Sequence, residues 1–161
     1  MADLTLTLSH SWEPVESAPG RAYRYPEETS EFLRSRWNRP AVYRWNVYKD
    51  EPGDLRTYAI GETDRLANRI YQYRNPTREL QACVRIKMLL MDAKMDGHQT
   101  RLEALAVERI ACGEVLLSQE SLSDRAVRKL LVQILSFWHE RRGDTLLSPD
   151  APAVNVRDLL R

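Results

Sequence analysis

The sequence predicts an α+β domain in which helices flank a small antiparallel sheet. Two observations carry this expectation. Residues 41–50, AVYRWNVYKD, and 55–63, LRTYAIGET, are rich in β-branched and aromatic side chains, and EPGD joins them with both Pro and Gly. That is the composition of a hairpin. After Gly61 the apolar spacing changes to a helical one, and helical patterns occupy much of the chain that follows.

Size and composition set the frame. A chain of 161 residues fits one domain that buries a real core without disulfides or metals. Its 43% apolar and 29% charged content is that of a soluble globular protein, and no uncharged apolar run reaches membrane-spanning length. A membrane-spanning helix is therefore not expected. The N-terminal MADLTLTLSH has neither the basic region nor the apolar stretch of a secretory signal, so the expected location is cytoplasmic. Cys83 and Cys112 lie far apart among apolar neighbours and form no CxxC pair. They read as small buried hydrophobes, with no zinc site and no disulfide-linked partner.

The elements follow in order. Residues 1–39 read as an extension. In it, Leu4, Leu6 and Leu8 alternate with polar residues as an edge strand, EPVESAPG forms a loop, and PEETSEFLRSRW forms a helix with acids in its first turn and basic residues in its last. Asn38, Arg39 and Pro40 end that helix. The main domain, residues 40–148, starts with the hairpin. Asp64 or Thr63 then caps a helix on which Leu66, Ile70 and Tyr73 share a face, and Asn75-Pro76 stops it. A second helix is expected from about Thr77 to Asp96, with Leu80, Val84, Met88, Met91 and Met95 as its core stripe and Gly97 as its end signal. From His98 to Ile110 apolar residues occur at both helical and strand spacings; the strand reading is favoured. ACGEVLLSQESLS gives a turn and a short strand. A last helix from about Ser123 to Arg142 turns Val127, Leu130, Leu131, Ile134, Phe137 and Trp138 to the core and ends at Gly143, and residues 149–161 form a tail.

The net charge of +1 decides nothing about partners, but its distribution is uneven. Between Arg65 and Arg101 there are eight basic residues and three acids. This stretch could face phosphate, which makes Arg65, Arg74, Arg78 and Arg85 nucleic-acid-binding candidates. On charge alone an ordinary solvated helix face explains it equally well.

Four features in fixed order extend the hairpin reading. Tyr43 stands in AVY on the first strand, and Ala59-Ile60-Gly61 followed by Glu62-Thr63 ends the second. Arg69 comes eight positions after the glycine and Tyr73 one helical turn later. This arrangement resembles the GIY-YIG endonuclease family. The following YRNPTRELQ resembles a branch of that family with a second helix before its third strand, so the likeness spans about Pro40 to Leu105. It implies an antiparallel three-stranded sheet flanked by helices and metal-dependent hydrolysis of DNA, with Mg2+ or Mn2+ as cofactor. By the same resemblance Tyr43 would act as general base, with Tyr73 beside it, Arg69 would hold the phosphate, and a helical glutamate would hold the metal.

Two departures bear on that chemistry. Ala59 occupies the place of the second motif tyrosine. The neighbouring Tyr58 would replace it only if a bulge turned it to the same face. The branch register puts the metal-binding glutamate near Val132, where neither Val132 nor Gln133 offers an anionic oxygen. The register of shorter members would select Glu108, with Glu103 weaker and Glu140 a third choice. With no carboxylate at the site, the fold would bind nucleic acid or a partner protein without cutting; a homodimer is equally open. No Walker loop, GxSxG elbow or HExxH is present, and His10, His98 and His139 have no partner at ligand spacing.

Overall fold

A computed structural model of the protein describes residues 6–48, 56–77, 81–112 and 114–143. The chain opens with β1 (Leu6–Pro14) and a short hairpin of β2 (Glu16–Ala18) and β3 (Arg21–Ala22), followed by α1 (Glu31–Trp37). Strands β4 (Ala41–Tyr48) and β5 (Arg56–Thr63) lead into α2 (Leu66–Arg74) and α3 (Gln81–Met95). The long β6 (Gln99–Cys112), the short β7 (Val115–Leu117), a 3-10 turn (Gln119–Ser123) and α4 (Arg125–Arg141) complete the described part. The EPGD turn lies outside the described residues.

The fold is α+β, but its main sheet has five strands where three were expected. The order is β1-β6-β4-β5, with β7 also on β6, and every pairing is antiparallel. The added strand β1 pairs along β6 from Leu6↔Cys112 to Pro14↔Glu103. The N-terminal residues are thus part of the same sheet as the hairpin. The expected loop at EPVESAPG contains β2 and the turn that leads into its partner β3. Helix α1 starts later than its acids suggested, because Ser30 caps it by accepting from the Leu33 amide at 3.1 Å. The ambiguous 98–110 segment is a strand, as favoured.

β4 and β7 share one edge of β6, at residues 99–104 and 110–112 respectively. Between them the Val107 amide donates to Gln119 Oε1 at 2.6 Å, so a side chain from the 3-10 turn fills a rung that no strand supplies.

Alternation along the sheet builds two cores. Tyr43, Trp45 and Val47 of β4 pack with Leu33 and Trp37 of α1, Leu66 and Ile70 of α2, and Cys83, Ile86 and Leu90 of α3. Val42 and Ile60 pack on the other side with Leu122, Leu131 and Leu135, so α4 covers the opposite face. Two helix faces differ from expectation. On α3 the buried row is Cys83, Ile86 and Leu90, while Met88, Met91 and Met95 are exposed. The helix carries two apolar rows, and periodicity cannot rank them. On α4 the buried row is Arg128, Leu131, Leu135 and His139, leaving Leu130, Phe137 and Trp138 exposed. Arg128 is tolerated inside because it donates to Glu62 at 2.8 Å and to the carbonyls of Leu122 and Ser123. An apolar pattern does not reveal a buried arginine.

Candidate functional site

The site forms at the β5 edge, where α2 leaves the sheet. Thr63 Oγ1 accepts from the Arg65 amide at 3.2 Å and shapes the turn into α2. Leu66 and Ile70 are fully buried and fix the rotation of the helix. Arg69 and Tyr73, four apart, are neighbours on its surface. Opposite Tyr43 the paired residue on β5 is Gly61, and a Cβ there would lie 2.6 Å from Tyr43 Oη. Glycine is required at this position so that the Tyr43 ring can cross the strand.

Tyr43 Oη and Tyr73 Oη are hydrogen-bonded at 2.6 Å, with their rings edge to face. Both side chains are buried. Burial pushes the Tyr43 pKa up to about 12, even though Arg69 and the bond to Tyr73 pull it down. Burial likewise raises Tyr73 well above the usual phenol value, and proximity to Tyr43 adds to it. Both phenols are therefore neutral near pH 7, poor proton acceptors but able to donate hydrogen bonds.

Arg69 supplies the charge. Its Nε is buried without a hydrogen-bond partner, and its Nη1 points to the Cys83 thiol at 3.9 Å. Among the described residues its guanidinium has no oxygen acceptor. It faces a pocket of about 370 Å³ into which Tyr43, Tyr73 and Cys83 also project. The other wall comes from α4, through Arg125, Lys129, Val132 and Gln133. Glu62 is the one carboxylate lining the pocket, and it is held by Arg128 at 2.8 Å and Arg125 at 3.6 Å. Three cations against one paired acid make an anion-attracting pocket.

A divalent metal fits this donor set poorly. Mg2+ and Mn2+ want several hard oxygens, with carboxylates among them, whereas this pocket offers one carboxylate already engaged by two arginines, together with phenols and an amide. Among the described residues no group of three His, Cys, Asp or Glu side chains is placed to hold a metal.

The sequence candidates divide. Tyr43, Arg69 and Tyr73 come together in the pocket. Glu108 does not join them; it lies exposed on β6 and accepts from Ser9 Oγ at 2.9 Å. Glu103 is buried on the α4 side of the sheet in an ion pair with Arg44, and Glu140 is exposed. The register shift between Trp45 and Asn46 pairs them with Ala59 and Thr57, which makes Tyr58 the extra residue of a bulge; its side chain lies outside the described residues. Arg65 is exposed at the start of α2. Arg74 is occupied structurally, donating to the Pro26 carbonyl at 3.0 Å and lying 3.8 Å from Glu28. Arg85 is half-buried on α3, and Arg78 falls outside the described residues. Sequence reasoning did not single out Arg125, Arg128 or Lys129, and it named Glu62 only beside the Ile-Gly motif and not as a site residue. The basic residues spaced by three and four in DRAVRKLL were the available signal for the first three.

No protein-family model, curated protein or solved structure matches the chain. Among the described residues no helix is long and apolar enough to cross a membrane.

Proposed function

We propose that this chain binds the phosphodiester backbone of nucleic acid at the Arg69 pocket, as a GIY-YIG-like domain that does not cut. The observation that carries the reading is the Arg69 guanidinium, which shares its pocket with two neutral tyrosines and has a buried Nε and, among the described residues, no oxygen acceptor. Leaving such a donor unmet costs about 1–3 kcal/mol, and a phosphate supplies the missing acceptors. The planar fork of arginine suits that anion, and the phenol hydroxyls can donate beside it. Arg125 and Lys129 extend the positive field to the pocket mouth. The gathering of Tyr43, Gly61, Arg69 and Tyr73 supports the GIY-YIG resemblance. Val132 in place of a carboxylate, the engaged Glu62 and the raised tyrosine pKa values favour binding over hydrolysis.

Binding of labelled DNA and RNA, followed by anisotropy across a salt series, tests this directly. The expected result is salt-sensitive binding that Arg69→Ala weakens by about 30-fold. An unbound wild-type protein at low salt would defeat it.

One observation favours a second reading, hydrolysis: Glu62 lines the same pocket as Tyr43 and Arg69. A supercoiled plasmid incubated with Mg2+ and with Mn2+ separates the two. Nicking by wild type that disappears in both Arg69→Ala and Glu62→Gln would establish the nuclease and replace the non-cutting reading.

A further inference from the structure

A second concavity lies between the last turns of α4 and β1. It encloses about 680 Å³ and is lined by Trp12 of β1, Phe137 and Trp138 of α4, and the arginines Arg44, Arg141 and Arg142. His10 and His139 complete the polar lining, and among the described residues no carboxylate lines it. Its aromatic rings are available for contact: Phe137 is 56% and Trp138 42% exposed. Trp138 lies tilted against His10 at 6.4 Å, while the far face of the groove is closed by Arg44 stacked over Trp12 at 4.4 Å.

The charges differ in their availability. Arg44 is neutralised by Glu103 at 2.8 Å. Arg141 and Arg142 are in no ion pair among the described residues, and Arg141 packs 5.6 Å over the Phe137 ring. An aliphatic or neutral occupant would leave these cations desolvated without a counter-charge. A flat aromatic group bearing an anion satisfies both halves of the lining, because rings stack on tryptophan and phenylalanine while the anion meets the arginines.

We infer that this groove stacks an unpaired nucleobase, with Arg141 and Arg142 at its phosphate, and that single-stranded nucleic acid is the preferred ligand. The inference rests on the phosphate-binding reading above and names the substrate class. The two sites are close along the same helix. Gln133 of the phosphate pocket and Phe137 of the groove are one turn apart, about 6 Å along the axis, so one short strand reaches both. A fully paired duplex presents its bases to each other and has none to give the groove.

The test compares a short single-stranded oligonucleotide with a base-free phosphodiester polymer of the same length and charge, both bound to the full chain at fixed low salt. Wild type is expected to bind the base-bearing strand about 10-fold more tightly. Trp138→Ala and Phe137→Ala, both at exposed positions, should bring that ratio towards one without changing affinity for the base-free polymer. Arg69→Ala should weaken both ligands equally and keep the ratio. Equal binding of the two ligands by wild type overturns the groove while leaving the phosphate pocket standing. Loss of affinity for the base-free polymer alone in Arg69→Ala, with the ratio intact in Trp138→Ala, also overturns it. Binding of neither ligand removes both readings. A concentration-dependent dimer that Trp138→Ala abolishes would assign the groove to a second copy instead and overturn the inference.

Discussion

Two buried polar centres in this small domain handle arginine in opposite ways. On the α4 side of the sheet, Glu103 Oε1 accepts from Arg44 Nε at 2.9 Å, Arg44 Nη2 at 2.8 Å and Asn46 Nδ2 at 2.5 Å, and its Oε2 lies 3.2 Å from Arg101. Asn46 in turn accepts from Thr57, and Arg44 is bonded to His139. At the β5 edge, Arg69 has two phenols and a thiol for neighbours and no oxygen acceptor among the described residues. The first centre closes on itself and leaves a ligand little to add. The second holds a charged fork open towards a cavity. A half-buried cation without an anion is a stronger pointer to a ligand than a centre whose acids and bases already satisfy one another. Glu103, the most heavily bonded carboxylate in the structure's interior, belongs to the architecture.

That contrast can be broken from either side. The largest effect is expected at the closed centre. Glu103→Ala leaves Arg44 and Arg101 without their shared carboxylate and should cost about 3–5 kcal/mol of stability by urea unfolding, with no loss of nucleic-acid affinity per folded molecule, because the freed Arg44 only adds positive charge to the groove it lines. A loss of affinity at preserved fold would place Glu103 in the binding site. Next, Gly61→Ala forces a Cβ against Tyr43 Oη and should destabilise by about 1–3 kcal/mol as the ring is displaced. Tyr43→Phe in the same chain removes the hydroxyl nearest the clash and should recover part of that loss. Arg69→Ala should behave inversely to Glu103→Ala. It is expected to lose about 2 kcal/mol of binding, while unfolding free energy stays within roughly 1 kcal/mol because an unmet donor is removed with the charge.

A pH series sharpens the open centre further. In the unfolded chain a tyrosine ionises near 10, whereas burial pushes Tyr43 up to about 12 in the fold. The stability it contributes is present in full below pH 10 and is lost as pH rises through about 12. Urea midpoints across that alkaline window should fall less steeply in Tyr43→Phe than in wild type. The smallest effect is expected at Glu108. Its bond to Ser9 is exposed, so Glu108→Ala should change stability by no more than about 0.5 kcal/mol and leave nucleic-acid binding, by anisotropy, where it was. A large binding defect there would move the site to β6.

How much of this was legible in the sequence depends on how local the signal is. The β4–β5 hairpin and α2 could be read because their residues are adjacent in the chain, and the spacing from Gly61 to Arg69 and Tyr73 already placed the last two on one helix face. β1 could be seen as a strand, but its partner lies about a hundred residues away, and no short-range pattern records such a pairing. The same limit hid the second wall of the pocket. Lys129 and Arg125 meet Arg69 only because α4 packs across β5 with Arg128 inward against Glu62, and an inward arginine contradicts the rule by which a helix face is chosen from sequence. The expectation that Val132 stands where a carboxylate was wanted came from register along the chain, and the structure does place Val132 on that wall.

Gln119 has a consequence for the protein's behaviour in a crowded solution. β6 is 14 residues long, and part of one edge is left between β4 and β7. An unpaired amide on such an edge is an invitation to a passing strand, the first step of sheet-to-sheet aggregation. By accepting from Val107, a single glutamine occupies that rung and turns an adhesive stretch into a finished border. The tight 3-10 turn carrying it therefore helps keep neighbouring molecules apart.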